Sequence, residues 1–138
     1  MIVLDTNVLS ELMRVEPSTR LLDWFSRHPA AELFTTSITQ AEMLAGVALL
    51  PKGKRRTAMS MTIDDMFAND FRGKVLSFEQ DSARECARIV VARTEAGRPI
   101  SQLDAQIAAI ARAHDASVAT RNISDFEKSG VEVINPWI

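Results

Sequence analysis

Ile2-Val3-Leu4-Asp5-Thr6-Asn7 sets three uninterrupted branched apolar residues directly before a carboxylate, a hydroxyl and an amide. A run of that kind, with no polar alternation, suits a strand buried on both faces, and such strands belong to parallel sheets. Four more short runs share its character: Leu33–Thr36, Val75–Phe78, Ser117–Thr120 and Val131–Ile134. Between them the apolar spacing predicts helices over Asn7–Arg14, Thr19–His28, Ser37–Leu50, Lys54–Asn69, Asp81–Ala96 and Ser101–His114. Ser37 or Thr39 is the expected cap of the third helix, while Pro29, Pro51 and Gly97 supply stops. Strands alternating with helices predict an α/β fold whose mostly parallel, five-stranded sheet is flanked by helices. In such sheets ligands bind outside the carboxyl ends of the strands. Asp5 stands at such an end.

The remaining composition narrows the field. A chain of 138 residues fits one domain spanning 1–138, and 46% hydrophobic with 25% charged residues is ordinary for a globular protein. The net charge of −2 gives no global basic field, so any nucleic acid must be held by local patches. The single Cys86 excludes an internal disulfide; its helical spacing with Ala83 and Val90 predicts a buried, unreactive thiol. The first residues lack the basic region of a signal peptide, and no run reaches the roughly 18 apolar residues of a membrane span. The expected setting is the cytosol. Neither G-x-G-x-x-G nor a P-loop occurs, so nucleotide binding has no support.

Two further acids join Asp5 at places where helices should pack. Glu42 shares a helical stripe with Ile38, Ala45, Gly46 and Leu49, which predicts an inward-facing carboxylate. Asp104 shares one with Ile107, Ala108 and Ala111, although Ser101-Gln102-Leu103-Asp104 also reads as a capping box. Each acid alone has a plain explanation: Asp5 as a helix cap, Glu42 as an edge residue reaching to water, Asp104 as part of its cap. Three at once are harder to explain so. Clustered carboxylates repel one another, and a hard divalent cation relieves them; Mg²⁺ or Mn²⁺ suits an all-oxygen set. Thr120-Arg121-Asn122-Ile123-Ser124-Asp125 ends the fourth predicted strand and brings Asn122 and Asp125 towards the same rim, unless they merely form a turn and a cap.

These pieces in this order resemble the PIN domain, and more narrowly the VapC toxins of bacterial toxin–antitoxin pairs: Ile2-Val3-Leu4-Asp5-Thr6-Asn7, Ser37-Ile38-Thr39-Gln40-Ala41-Glu42 with Gly46, Asp104 with Ile107-Ala108-Ala109, and Ala119-Thr120-Arg121-Asn122 with Asp125-Phe126. The run Gly46–Leu50 and the segment Asn135-Pro136-Trp137 look most like the FitB branch. The resemblance covers essentially the whole chain. It implies a PIN fold and a Mg²⁺- or Mn²⁺-dependent endoribonuclease leaving 5′-phosphate and 3′-hydroxyl ends. It also implies a homodimer and a cognate antitoxin, a small DNA-binding protein whose tail fills the acidic groove. The acidic positions of the family fall on Asp5, Glu42 and Asp104. FitB-like members often carry a fourth acid where this chain has Asn122, while many relatives show Asn-x-x-Asp, here Asn122 and Asp125. Whether one metal or two is held turns on that position.

On this reading Asp5 and Asp104 hold the metal, and Glu42 is a further ligand or accepts from a metal-bound water. Thr6 and Thr120 position water or phosphate, and Arg121 contacts phosphate or pairs with an acid. Pro51-Lys52-Gly53-Lys54-Arg55-Arg56 is the densest basic run, either a backbone contact for RNA or a solvated helix start. His28 and His114 are expected to be structural. Ala58, Met59, Ile63, Met66 and Phe67 are expected to pack in the core, or else to form an antitoxin or dimer face. Two rivals remain: a phosphatase with Asp5 as nucleophile, weakened because Asn7 stands where a second Asp is usual, and a non-catalytic binding module.

Overall fold

A computed structural model describes residues 1–138. Five parallel strands, β1 (Ile2–Leu4), β2 (Leu33–Thr36), β3 (Val75–Leu76), β4 (Ser117–Ala119) and β5 (Val133–Ile134), form one sheet in the order β3-β2-β1-β4-β5. Seven α-helices surround it: α1 (Thr6–Leu12), α2 (Thr19–Ser26), α3 (Ser37–Ala48), α4 (Lys54–Asp65), α5 (Gln80–Glu95), α6 (Gln102–Ala113) and α7 (Ile123–Phe126). β1 is central, which is why it carries no charge. Its residues alternate between two cores: Ile2 and Leu4 face Val8, Leu9, Leu21 and Met43, while Val3 faces Ile89, Ile107, Ala108 and Val118. Burying each large aliphatic side chain contributes about 1.5–3 kcal/mol. The strand order reverses between β1 and β4, so the crevice for a ligand opens beyond Leu4 and Ala119.

All five expected strands form, with β3 ending at Leu76 and β5 beginning at Val133. Several expectations need correction. The cap of α3 is neither Ser37 nor Thr39 but Thr36, whose hydroxyl accepts from Thr39 N at 3.1 Å, so the helix starts where the strand ends. The expected 54–69 helix stays α-helical only to Asp65 and finishes as one wider π-turn, Met66–Asp70. In α5 the buried stripe is Ser82, Ile89 and Arg93, whereas Ala83, Ala87, Val90 and Val91 are exposed. Apolar spacing pointed to the wrong face because the buried one carries a serine and an arginine. Cys86 is half-buried, and burial pushes its thiol pKa up, as fits an inert thiol. Gly97, at φ +73°, ends α5 in a left-handed turn that closes Arg98 N onto Arg93 O at 2.9 Å. Of the suggested face on α4, Ile63, Met66 and Phe67 are core, and Ala58 is exposed.

Candidate active site at the strand switch point

Asp5 leaves β1 with 6% exposure, and its backbone N–H still donates to Ala119 O at 3.0 Å, as if the strand ran one residue further. Its side chain caps α1. Oδ1 accepts from Thr6 N at 2.8 Å, and Oδ2 accepts from the Thr120 hydroxyl at 2.8 Å and from Asn7 Nδ2 at 3.3 Å. The plain explanation for Asp5 is therefore correct, yet incomplete. A cap needs no such burial, and burial pushes this carboxyl up to about 6 from 3.8. The Thr120 and Thr6 donors oppose the rise; the charges of Asp104 and Glu42 add to it.

Glu42 lies beside the packed stripe of α3 rather than on it: Thr39, Met43 and Val47 are buried, while Ala45, Gly46 and Leu49 are exposed. Half-buried at the cleft edge, Glu42 accepts from the Thr6 hydroxyl through Oε1 at 2.9 Å; that hydroxyl is also 3.1 Å from Thr39 Oγ1. Asp104 stands in the first turn of α6, with Ser101 as its cap accepting from Asp104 N at 3.2 Å. The capping reading is right, and so is the inward one, since Ile107, Ala108 and Ala111 are fully buried. Burial raises the Asp104 carboxyl, Asp125 nearby raises it further, and Ser101 and Arg93 pull it down.

Asp5, Glu42 and Asp104 face one open cleft of about 610 Å³, together with Thr6, Arg121 and Asn122. Thr120 lies fully buried beneath it, where its Oγ1 accepts from Asn7 Nδ2 and from Asn122 N, each at 3.1 Å. Asn122 is thus in the cleft wall, just before α7. Asp125, on α7, is exposed, does not line the cleft, and acts on Asp104 from outside it. As the side chains stand, no three acidic, His or Cys groups are close enough together to hold one ion directly.

Other residues line the cleft to which the sequence reading gave no role, although Asn7 and Trp137 stand in the segments it quoted. Asn7 bridges Asp5, Thr120 and Arg121, accepting from Arg121 N through Oδ1 at 3.3 Å. Glu11, 8% exposed, is matched by Arg14 at 3.3 Å and by Ser18 N at 3.4 Å. The spacing of Asn7, Ser10 and Glu11 along one face of α1, with Arg14 just past its end, was the available signal. Trp137 is the one hydrophobic residue lining the cleft, and the Arg121 guanidinium sits 5.3 Å from its ring centroid. The basic run after Pro51 is solvent-exposed except at Arg56; Arg55 reaches an adjoining apolar groove that Thr6 and Glu42 share. His28 stacks on Trp24 and bonds its carbonyl oxygen through Nδ1 at 2.8 Å, while His114 ends α6.

The PIN domain family profile matches residues 2–130. A VapC ribonuclease of Sinorhizobium fredii is 41% identical over 137 residues, covering 99% of this chain and 98% of that protein. Toxin FitB of Neisseria gonorrhoeae is 36% identical over 137 residues, covering 99% of each. Among solved structures, a FitAB complex bound to a DNA fragment superposes with a TM-score of 0.94 at 36% identity, over 100% of this chain and 96% of that one.

Proposed function

This chain belongs to the PIN-domain family, on the branch of the VapC and FitB toxins, and from that premise we propose that it is a divalent-metal-dependent endoribonuclease, the toxin of a toxin–antitoxin pair. The observation that carries the reading is the placement of Asp5, Glu42 and Asp104 on one cleft at the point where the strand order reverses. The donor set fits Mg²⁺ or Mn²⁺: three hard carboxylates, two of them with raised pKa, in a cleft whose two arginines are engaged elsewhere, Arg14 by Glu11 and Arg121 by Trp137. Because no three acids close on one point, such an ion would be held by one or two of them and keep much of its water, as Mg²⁺ prefers. Asp5 and Asp104 would hold it, with Glu42 as a further ligand or an acceptor for coordinated water. Bound there, the ion supplies Lewis-acid chemistry, activating water and offsetting charge on the attacked phosphate.

The chain's own residues do the rest. Thr120 and Thr6 N fix both oxygens of Asp5, so its free lone pairs point in set directions. Thr6 fixes Glu42 in the same way through Oε1. Asn122 orients water or phosphate from the wall, and Asp125 outside it adds to the burial that raises the Asp104 carboxyl. Arg121 is the cation for phosphate. A phosphatase reading is disfavoured, since Asn7, where that chemistry usually has its second acid, is a neutral amide bonded to Asp5 and Thr120.

The apolar groove beside the cleft, lined by Met13, Met43, Val47, Leu50, Met59 and Ile63, suits the tail of an antitoxin, and Arg55 at its edge suits an acidic residue there. The exposed Leu44, Leu49, Val90 and Val91 on α3 and α5 suit a homodimer contact. The deciding experiment incubates total RNA with wild type, Asp5→Asn and Asp104→Asn in Mg²⁺, Mn²⁺ or EDTA. Wild type alone should cut, only with metal, leaving 5′-phosphate ends; cleavage surviving both substitutions and chelation would sink the site.

A further inference from the structure

The cleft poses an electrostatic problem that its acids cannot solve. Four carboxylates line it, only Glu11 matched by an arginine, and they repel an anionic strand, so affinity for RNA has to come from other groups at the rim. Trp137 is the single hydrophobic residue there, and it is placed by specific contacts. Its backbone N–H donates to Asn135 Oδ1 at 2.9 Å, Ile138 N donates to Asn135 O at 3.3 Å, and the side chain packs against the core on the Ile134 side of the sheet. Thr120 N donates to Ile134 O at 2.9 Å, which ties the strand leading to Trp137 to the strand end that carries Arg121. The exposed Arg121 guanidinium lies over the indole at 5.3 Å, its backbone N–H held by Asn7. Indole and guanidinium together make a cation–π pair at the mouth of an otherwise polar cleft.

We propose that the Trp137–Arg121 stack is a nucleobase subsite, on which one unpaired base next to the scissile phosphate lies while the guanidinium edge reaches the backbone. Nucleobases stack on aromatic rings and on arginine planes, and they do so only when not already stacked in a duplex. The subsite therefore selects single-stranded RNA, and it tolerates many bases because every base has a π-face. Little ordering entropy is lost on binding, since the ring is already fixed. The proposal rests on the ribonuclease reading for its substrate and gives that reading a strand preference.

The test measures binding of a short fluorescent single-stranded RNA in Ca²⁺ buffer, alongside the same strand with one abasic position walked along it and its duplex. Trp137→Phe keeps an aromatic plane; Trp137→Leu keeps apolar packing without one, and equal melting temperatures establish that both fold. Wild type and Trp137→Phe should bind the single strand within about three-fold of each other, and Trp137→Leu about ten-fold or more weaker. One abasic position should abolish the difference between wild type and Trp137→Leu, the duplex should show none, and in Mg²⁺ the leucine variant should raise KM with kcat held. Equal affinity of Trp137→Leu and wild type, or equal weakening of the phenylalanine and leucine variants, overturns the subsite while wild-type cleavage leaves the ribonuclease reading intact. Conversely, a wild type that binds through Trp137 but cuts nothing in Mg²⁺ or Mn²⁺ supports the subsite and removes the ribonuclease reading.

Discussion

The Thr120 hydroxyl donates to Asp5 Oδ2 at 2.8 Å, joining two residues 115 positions apart across the gap where β1 and β4 meet. The bond is buried, and the Thr120 Oγ1 that donates it also accepts from Asn7 Nδ2 and Asn122 N, each at 3.1 Å. One hydroxyl therefore supports a cleft acid and a cleft wall together.

Thr120→Val removes that support while preserving shape. Asp5 loses a donor that holds its pKa down, so the carboxyl should titrate higher and the pH for half-maximal RNA cleavage should move up. Three polar groups, Asp5 Oδ2, Asn7 Nδ2 and Asn122 N, lose a partner, at a cost of about 1–3 kcal/mol in urea unfolding. Thr120→Ser should restore both measurements; a pH profile unchanged in the valine variant would remove Thr120 from the site.

Asp5 sets a second expectation, for stability against pH. Its folded pKa of about 6 lies above the 3.8 of an unperturbed carboxyl, so the folded chain holds this proton more tightly than the unfolded one. The resulting stability is complete below about pH 4 and is lost as pH rises through about 6, about 3 kcal/mol in all. Asp5→Asn cannot ionise and should escape the loss. In metal-free buffer at pH 8 it should unfold about 1–2 kcal/mol later than wild type, after allowing for one weaker acceptor, and the gap should close or reverse near pH 4. Urea melts at the two pH values measure this directly.

The same residue explains what the sequence made readable. Asp5 ends an apolar run, and burial of both faces of β1 follows from that run, while the alternation of strands with helices pointed to a mostly parallel sheet, which is parallel throughout. Asp104 was readable because its whole inward stripe is alanine and isoleucine. Glu42 entered the cleft for a different reason from the one its spacing suggested: it sits beside the buried stripe, drawn to Thr6 rather than to packing. The face of α5 was misread because Arg93 is buried through backbone carbonyls that no local pattern announces. Trp137 was legible as part of a motif, but its place at the cleft was not, since that depends on the β4–β5 pairing.

Arg93 is the next case. With 4% exposure, its Nε donates to Arg98 O at 2.6 Å and its Nη1 to Asp125 O at 2.8 Å and Glu127 O at 2.9 Å, so it pins α7 to α5. Arg93→Met would leave three carbonyl oxygens without donors and should cost about 3 kcal/mol or more. The segment around Asp125 should become the first site of protease cleavage, and Asp104, freed of a nearby positive charge, should titrate higher. Wild-type stability together with wild-type protease resistance would count against this role.

Metal binding provides the last test, because it can be read without any substrate. An ion that binds the folded cleft and not the unfolded chain stabilises by about 2.7 kcal/mol at a hundred times its Kd. For a chain of 138 residues that corresponds to a melting shift of roughly 8–15 °C. The shift should grow between pH 5 and pH 8, because Asp5 and Asp104 must lose their protons before they can act as ligands and both carry raised pKa values. Mn²⁺ or Mg²⁺ should therefore raise the melting temperature of wild type at pH 8 far more than at pH 5. Asp104→Asn should flatten that response, whereas Asp125→Asn, whose side chain lies outside the cleft, should retain most of it. Equal shifts in wild type and Asp104→Asn would place the ion elsewhere, whatever the RNA assay showed.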